Sequence, residues 1–384
     1  MARQNGTATE EIMELLMQTG ISENMAHVVQ LLVNEAMRME RSGYLNAQPY
    51  ERTQDRVDQA NGFKPKFLKT RIGELELAVP QTRNGGFYPS VIQKGLRSER
   101  ALLATIAEMY IQGVSTRKVT KILEDLCDCQ VSSSQVSRIV QSLDADLETW
   151  RNRPLAQFNY LMVDARYEKV RYANHIQDCA VMWAIGIHEN GKREVLGVHV
   201  AFSEAEIHWR EFFQSLVSRG LHGVSYVVSD DHPGLTQALK SVLPGISWNR
   251  CHTHLAHNAQ DHVSKAIHKI PVAQDIRSIL QAPDLDTAQF LLNRFSDRWA
   301  KSEPKLAIWA EINLPQGFQV LALEPNLRRS LRTSNLIERF NREIKRRSRV
   351  VRIFPNFEAC LRLVSAILIE FNDDWSTGRR LFSA

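Results

Sequence analysis

Between Phe158 and Arg250 the sequence leaves helical periodicity for short apolar runs of strand type, and the order of those runs restricts the folds open to the chain. Phe158–Tyr167, Cys179–His188 and Arg193–Phe202 read as three strands, with Glu189-Asn-Gly-Lys giving a turn of the Asn-Gly hairpin type between the second and third. A helix over Glu204–Arg219 follows, with Trp209, Phe212, Phe213 and Leu216 on one face. A strand at Val224–Val228, a helix at Pro233–Leu243 and a last strand around Ile246–Arg250 complete the series. The order predicts an α/β unit with a mixed sheet, antiparallel at first and then crossed by helices, in which the first and fourth strands can be neighbours.

Those two strands end in acids. Asp164 lies in Tyr160-Leu-Met-Val-Asp-Ala-Arg and Asp230 in Tyr226-Val-Val-Ser-Asp, each after an apolar run. A carboxylate at the end of a buried strand is costly unless something cationic meets it. A third acid, Glu338, sits in Thr333-Ser-Asn-Leu-Ile-Glu-Arg on a helical pattern dense with arginine. Carboxylates converging from separate elements make an oxygen-rich site suited to Mg2+, and paired ions of that type serve in-line displacement at phosphodiesters. Asp231 is the rival to Asp230, which directly follows the apolar run, and Glu343 shares the helix of Glu338.

The flanks are helical. Ile12, Leu15 and Leu16, then Val28, Val29, Leu32 and Val33, predict a small hairpin with Gly20 and Ser22 as stop and restart, and Tyr44–Pro89 reads as a loose basic segment containing a short ribbon, a candidate linker that orders on DNA. Ser98–Gln112, Ser115–Leu126 and Ser133–Arg153 predict three helices in helix-turn-helix order, for which an ordinary three-helix bundle is the alternative. Arg117 and Lys118 on the second, and Ser134, Gln135 and Arg138 at the start of the third, are candidate DNA contacts. After Arg250 the strand signal stops, and Leu255–Pro325 is expected to be all helical. Within it Trp299, among basic residues, is a candidate for stacking on an unpaired base, against the commoner role of a core tryptophan.

Net charge is only +5, but basic residues crowd Arg328–Arg352, where Arg332, Arg339, Arg342, Lys345, Arg346 and Arg347 are candidate phosphate contacts; a solvated helix face is the alternative. Cys251 and His254 form a Cys-x-x-His pair, only half of a zinc site, and His232 in Asp230-Asp-His-Pro-Gly is a candidate supporting residue near a scissile phosphate, a solvated turn histidine being the alternative. Five scattered cysteines fit reduced thiols, and with 43% hydrophobic residues the chain is globular with no run long enough to span a bilayer, pointing to the cytoplasm.

The stretches Leu75-Glu-Leu-Ala-Val-Pro, Gly113-Val-Ser-Thr-Arg, Trp150-Arg-Asn-Arg-Pro-Leu, Val163-Asp-Ala-Arg-Tyr, Arg219-Gly-Leu, Ser229-Asp-Asp-His-Pro-Gly-Leu, Trp248-Asn-Arg-Cys-His-Thr-His, Arg332-Thr-Ser-Asn-Leu-Ile-Glu-Arg and Arg346-Arg-Ser-Arg, in this order, resemble the Mutator-type transposases of bacterial insertion sequences over nearly the whole chain. The resemblance implies a ribonuclease-H-like core interrupted by a helical insertion, and an Asp, Asp, Glu triad at Asp164, Asp230 and Glu338, with Cys251 and His254 close to it in a supporting role. It implies two Mg2+ ions, with Mn2+ as a substitute, and double-stranded DNA as partner: terminal inverted repeats and target DNA, engaged by a homodimer or higher oligomer. The expected organisation is 1–97 hairpin and basic ribbon, 98–154 helix-turn-helix, 155–254 first part of the core, 255–325 insertion and 326–384 closing helices. A non-catalytic helix-turn-helix regulator and a structure-selective nuclease on the same core are the competing readings.

Overall fold

A computed structural model describes residues 21–92, 98, 100–127, 130–378 and 380–382. Two compact units, Met1–Ser142 and Leu143–Ala384, divide the chain. In the first, helix α1 (Ile21–Leu45) lies against an antiparallel ribbon of β1 (Ala60–Thr70) and β2 (Gly73–Thr82). The alternation in β2 puts Leu75, Leu77 and Val79 on one side, where they bury with Met37 and Ile92. Asn34 reaches from α1 to accept the Ala78 N–H at 2.9 Å. The ribbon expected within Tyr44–Pro89 is present, longer than its alternating stretch and with its own small core. Ile12, Leu15 and Leu16, the first arm of the expected hairpin, and Cys129 lie outside the described residues.

Three short helices complete this unit: α2 (Arg100–Ile111), α3 (Thr116–Cys127) and α4 (Ser133–Gln141). They enclose Leu102, Ile106, Val119, Leu123, Val131, Val136 and Val140. Gly113 takes a φ of 86° between α2 and α3, in the left-handed region that glycine enters without a Cβ clash. A capping box starts α4, the Ser132 hydroxyl accepting from Gln135 N–H while Gln135 Oε1 accepts from Ser132 N–H at 2.8 Å. The single helix expected over Ser133–Arg153 is two. At Ser142 the backbone N–H and the hydroxyl both turn back onto Ile139 O, ending α4, and a new helix α5 (Asp144–Arg151) begins in the second unit.

The second unit is built on a five-stranded mixed sheet in the order β5-β4-β3-β6-β7. Its strands are β3 (Tyr160–Tyr172), β4 (His175–Ile187), β5 (Arg193–Ala201), β6 (Tyr226–Ser229) and β7 (Ser247–Arg250). The β3–β4 and β4–β5 pairs are antiparallel, while β3–β6 and β6–β7 are parallel, so the first strand of the sheet is central. Helices α6 (Glu206–Ser218) and α7 (Pro233–Val242) cover one face, burying Trp209, Phe212, Phe213, Leu216 and Leu235 against Leu161, Val163 and Met182. The alternate residues of β3, Asp164, Arg166 and Glu168, belong to the opposite face, where α13 (Asn335–Val351) contacts β3 and α14 (Phe357–Thr377) contacts β3 and β5.

Between β7 and α13 the described residues contain only helices: α8 (His252–Asp261), α9 (Lys269–Leu280), α10 (Leu285–Trp299), α11 (Pro304–Asn313), α12 (Pro325–Leu331) and short 3-10 turns. Leu255, Val272, Ile276, Leu292, Phe295 and Leu306 form their core. Trp299 belongs to that core, 5% exposed, with its indole N–H donating to Asp275 Oδ2 at 2.9 Å. Its ring is enclosed by packing, which corrects the expectation of a base-stacking surface there. No helix among the described residues is long and apolar enough to cross a membrane.

Candidate active site

Parallel pairing of β3 with β6 sets Tyr160 opposite Tyr226 and Met162 opposite Val228. The same register continued by two residues brings Asp164 alongside Asp230. Asp164 is partly buried, and burial pushes its carboxyl up to about 6; repulsion from Asp230 adds to this, while His254 and an Asn341 hydrogen bond act against it. Asn341 Nδ2 donates to Asp164 Oδ2 at 2.9 Å, and Asn341 Oδ1 is buried with no hydrogen-bond partner.

Asp230 and Asp231 are distinguished by Arg250. This guanidinium, 6% exposed, directs Nη1 at Asp231 Oδ2 (3.1 Å), Asn313 Oδ1 (2.9 Å) and Gln316 Oε1 (3.1 Å), whereas its Nε is 3.7 Å from Asp230 Oδ1. Asp231 is thus committed to a structural ion pair that ties the turn to the helical region. Asp230 accepts the Asp231 N–H at 2.7 Å and remains 42% exposed.

Glu338 enters from α13, partly buried, between two anchors of that helix. Ser334, one turn before it, donates its N–H and hydroxyl to Cys251 Sγ at 3.3 and 3.1 Å. Asn341, three residues after it, is held to Asp164 by its side chain and to Arg166 Nη1 by its carbonyl at 2.7 Å. Positions 334, 338 and 341 share a helix face, so Glu338 lies on the side of α13 that carries both anchors. Farther along, Ser348 donates to the buried Glu168 at 3.0 Å, and Glu168 pairs with Arg166 at 2.8 Å.

His254 Nδ1 lies 4.0 Å from Asp230 Oδ1. The adjacent Cys251 thiol raises the imidazole to about 9, with Asp230 and Asp164 adding to the effect against burial. Burial would raise the Cys251 thiol in turn, but His254 and Ser334 outweigh it and hold the thiol below its ordinary range. Cys251 is fully buried at the junction of β7, α8 and α13, where its sulfur accepts from Ser334 and links the three elements. His232 occupies the residue before α7 without a side-chain cap bond, its Nδ1 buried and without a partner. Among the described residues no group of three or more His, Cys, Asp or Glu is placed closely enough to hold a metal ion.

The sequence reading missed Glu204. It follows β5 by three residues, partly buried, and burial pushes its carboxyl up, with His232 opposing and Asp164 and Asp230 reinforcing the shift. The signal was of the same kind as for Asp230, an acid just past the end of an apolar strand.

The basic candidates divide. Arg117, Lys118, Ser134 and Arg138 are exposed in the first unit, as are Arg339, Arg342 and Lys345 along α13, while Arg332 is partly buried. Gln135 is occupied by the capping box. Arg347 is a correction: 7% exposed, it forks onto Glu370 at 2.9 and 2.7 Å and reaches Glu343 at 3.4 Å, a structural ion pair between α13 and α14. Arg346 is exposed but grips Glu343 at 3.0 Å.

A family model described as "Transposase, Mutator family" matches residues 1–378. The transposase for insertion sequence element IS406 of Burkholderia multivorans is 49% identical over 366 residues, covering 95% of this chain and 94% of that protein. The transposase for ISRM5 of Rhizobium meliloti is 40% identical, covering 97% of this chain and 94% of its relative. The transposase for IS256 in transposon Tn4001 of Staphylococcus aureus is 37% identical, covering 97% and 95%.

Proposed function

The chain belongs to the Mutator family of transposases, and on that premise we propose that it cleaves and joins DNA at a divalent-metal centre formed by Asp164, Asp230 and Glu338. One observation supports the reading: the parallel register of β3 with β6, carried on by two residues, sets the positions of Asp164 and Asp230 beside each other, and the helix that bears Glu338 is tied to Asp164 through Asn341. The strand order, with the first strand central and two parallel strands beside it, supports a ribonuclease-H-like core. The helices from α8 to α12 are then the insertion between its fifth strand and the helix of the last acid.

The donor set fits Mg2+. Hard carboxylate oxygens are its usual protein ligands. Asp164 is held protonation-prone by burial and by Asp230, a cost that a bound cation would offset, and Asn341 Oδ1 supplies a buried unpaired acceptor beside them. When bound, a pair of such ions supplies charge neutralisation at the scissile phosphate and a more reactive attacking oxygen. The protein's own groups do the rest. Asn341 fixes the orientation of Asp164, Arg250 holds Asp231 aside so that Asp230 faces the site, and Ser334 on Cys251 fixes the start of α13. Arg339, Arg342 and Lys345, exposed on the same helix, are placed to hold the DNA backbone near the cut. Water attack leaves a 3′-hydroxyl, which then attacks a target phosphodiester with the same in-line geometry and no covalent enzyme intermediate.

In the first unit, exposed Arg117, Lys118, Ser134 and Arg138 of the α2–α4 helices are assigned to recognising element ends, with α4 as recognition helix. The functional form on DNA is a homodimer or higher oligomer. The test is cleavage and strand transfer on element-end DNA with Mg2+ or Mn2+. Asp164→Asn, Asp230→Asn and Glu338→Gln should each lower both reactions by about 10²- to 10⁴-fold with DNA binding retained. Asp231→Asn should lower thermal stability and spare chemistry; an inactive Asp231→Asn beside an active Asp230→Asn would overturn the assignment.

A further inference from the structure

We propose that the outer face of α11 is a self-complementary surface through which two copies of this chain pair, antiparallel, about a two-fold axis at Ile308. The inference rests on the homo-oligomer reading above and names the surface that joins its subunits.

Helix α11 is apolar on two sides. Its inner side buries Leu306, Ala307 and Ala310. Its outer side consists of Pro304, Lys305, Ile308, Glu311 and Ile312, which follow the spacing of one continuous helix face, and all five are exposed. Ile308 is 61% exposed and Ile312 66%. A helix with apolar residues on both sides is normally covered on both, and among the described residues only the inner side of α11 is covered. The N-terminal end of the same helix holds another exposed apolar side chain. Glu303 accepts from the Ser264 N–H and hydroxyl at 2.9 and 2.7 Å and lies 2.7 Å from His268 Nδ1, which keeps the segment bearing Ile267, 79% exposed, beside the start of α11.

The charges on the outer face select its occupant. One lysine and one glutamate cancel, so the face offers no net attraction to a polyanion such as DNA. Lys305 lies three residues before Ile308 and Glu311 three after it. Two copies crossing antiparallel at Ile308 therefore set each Lys305 against Glu311 of the other copy, Pro304 against Ile312, and Ile308 against its own counterpart, the same patch serving both sides. Each copy carries these charges at the ends its own macrodipole disfavours, the cation in the first turn of α11 and the anion in the last. Antiparallel pairing places both beside the opposite end of another helix. Among the described residues no ion pair or hydrogen bond reaches the Lys305 ammonium or the Glu311 carboxylate, so both are free for a second copy.

Five residues per copy fall well short of the roughly 20–30 a side of a stable interface, so pairing of the free chain is weak and rises with concentration. Copies held close together on DNA pair through a raised effective concentration. The face is also joined to the catalytic centre. Asn313, the residue after Ile312, accepts from Arg250 at 2.9 Å, and the same guanidinium holds Asp231.

The experiment is sedimentation equilibrium of the full chain over a range of concentrations, free and on element-end DNA, with thermal melting recorded alongside. The parent should show a monomer–dimer equilibrium. Lys305→Glu sets carboxylate against carboxylate at both crossings and Glu311→Lys sets ammonium against ammonium, so each alone should weaken pairing roughly 10-fold. Neither should melt below the parent, because each reversal suits the dipole of its own helix. Mixed together, the two variants again oppose carboxylate and ammonium, and they should pair with each other as tightly as the parent pairs with itself, a recovery that neither misfolding nor a different partner gives. Ile308→Gln, which acts twice at the axis, should weaken pairing about 10-fold or more with melting unchanged, and it decides the matter should a charge reversal fail to fold. Dimers of equal affinity in the parent and in every variant would sink the α11 inference alone and leave the oligomer to another surface. A parent that stays monomeric, free and on DNA, sinks the oligomer reading and this inference with it. Weaker DNA binding in the variants with pairing unchanged would give the face to DNA and overturn the inference.

Discussion

Asp164 shows how one side chain sets the working conditions of the site. Its carboxyl is raised from an ordinary value near 4 to about 6 because burial and Asp230 both disfavour the charge. The folded protein therefore binds more protons than the unfolded chain between those values, and this group's contribution makes metal-free stability fall as pH rises from about 4 to about 6, by up to roughly 3 kcal/mol. Asp164→Asn, which cannot titrate, should flatten that part of a melting-temperature profile; a mutant profile that overlays the parent's through this window would show that Asp164 is not the titrating group. Asp164 and Asp230 were legible in the sequence because each closes an apolar run of strand length, although β3 itself continues past Asp164 to Tyr172. The division of labour between Asp230 and Asp231 was less so, since it depends on Arg250, which reaches back from the end of β7.

Helix α13 is two devices on one element. Its inner face carries Ile337, Phe340 and Ile344, all fully buried, together with Arg347, so a run of basic residues that reads as one charged surface is split by the helical repeat. Nothing within the run marks Arg347 as internal, because its partner Glu370 comes from the next helix. Arg347→Ala should therefore cost roughly 1–3 kcal/mol of stability, Glu370 and Glu343 being each about a third exposed. It should leave the salt dependence of DNA binding unchanged. Alanine at Arg339, Arg342 or Lys345 should do the opposite, lowering the slope of log affinity against log salt by about 1 for each cation taken off a phosphate, with melting unaffected. Equal slopes for Arg347→Ala and Arg342→Ala would refute this division. The ribbon of β1 and β2 carries the converse lesson: its alternation was visible, but the burial of Leu75, Leu77 and Val79 against Met37 of α1 could not be read locally.

At the scale of the whole molecule, the informative feature is where the first unit stops. Helical periodicity runs through Ser142 and Leu143 with no proline or glycine to mark a boundary, so the pattern alone assigns everything to Arg153 to the helices before it. Packing divides the chain earlier, after Ser142. Helix α5 then belongs with the sheet: Asp144 receives a two-pronged bond from the buried Arg362 of α14 at 2.6 and 2.7 Å, Arg151 donates to Ser365 at 3.1 Å, and Leu147 is buried. A fragment that starts at Leu143 should consequently fold cooperatively and bind Mn2+. One that starts at Leu155 leaves Arg362 buried without its carboxylate and uncovers the apolar surface on which Leu147 packs, a combined cost of about 3–5 kcal/mol. For a unit of this size that lowers the melting temperature by roughly 10 °C. The comparison also tests recognition, because neither fragment retains Arg117, Lys118, Ser134 or Arg138, and both should bind element ends no better than random DNA. Fragments starting at 143 and 155 with the same melting temperature would place α5 outside the catalytic unit and return it to the recognition helices.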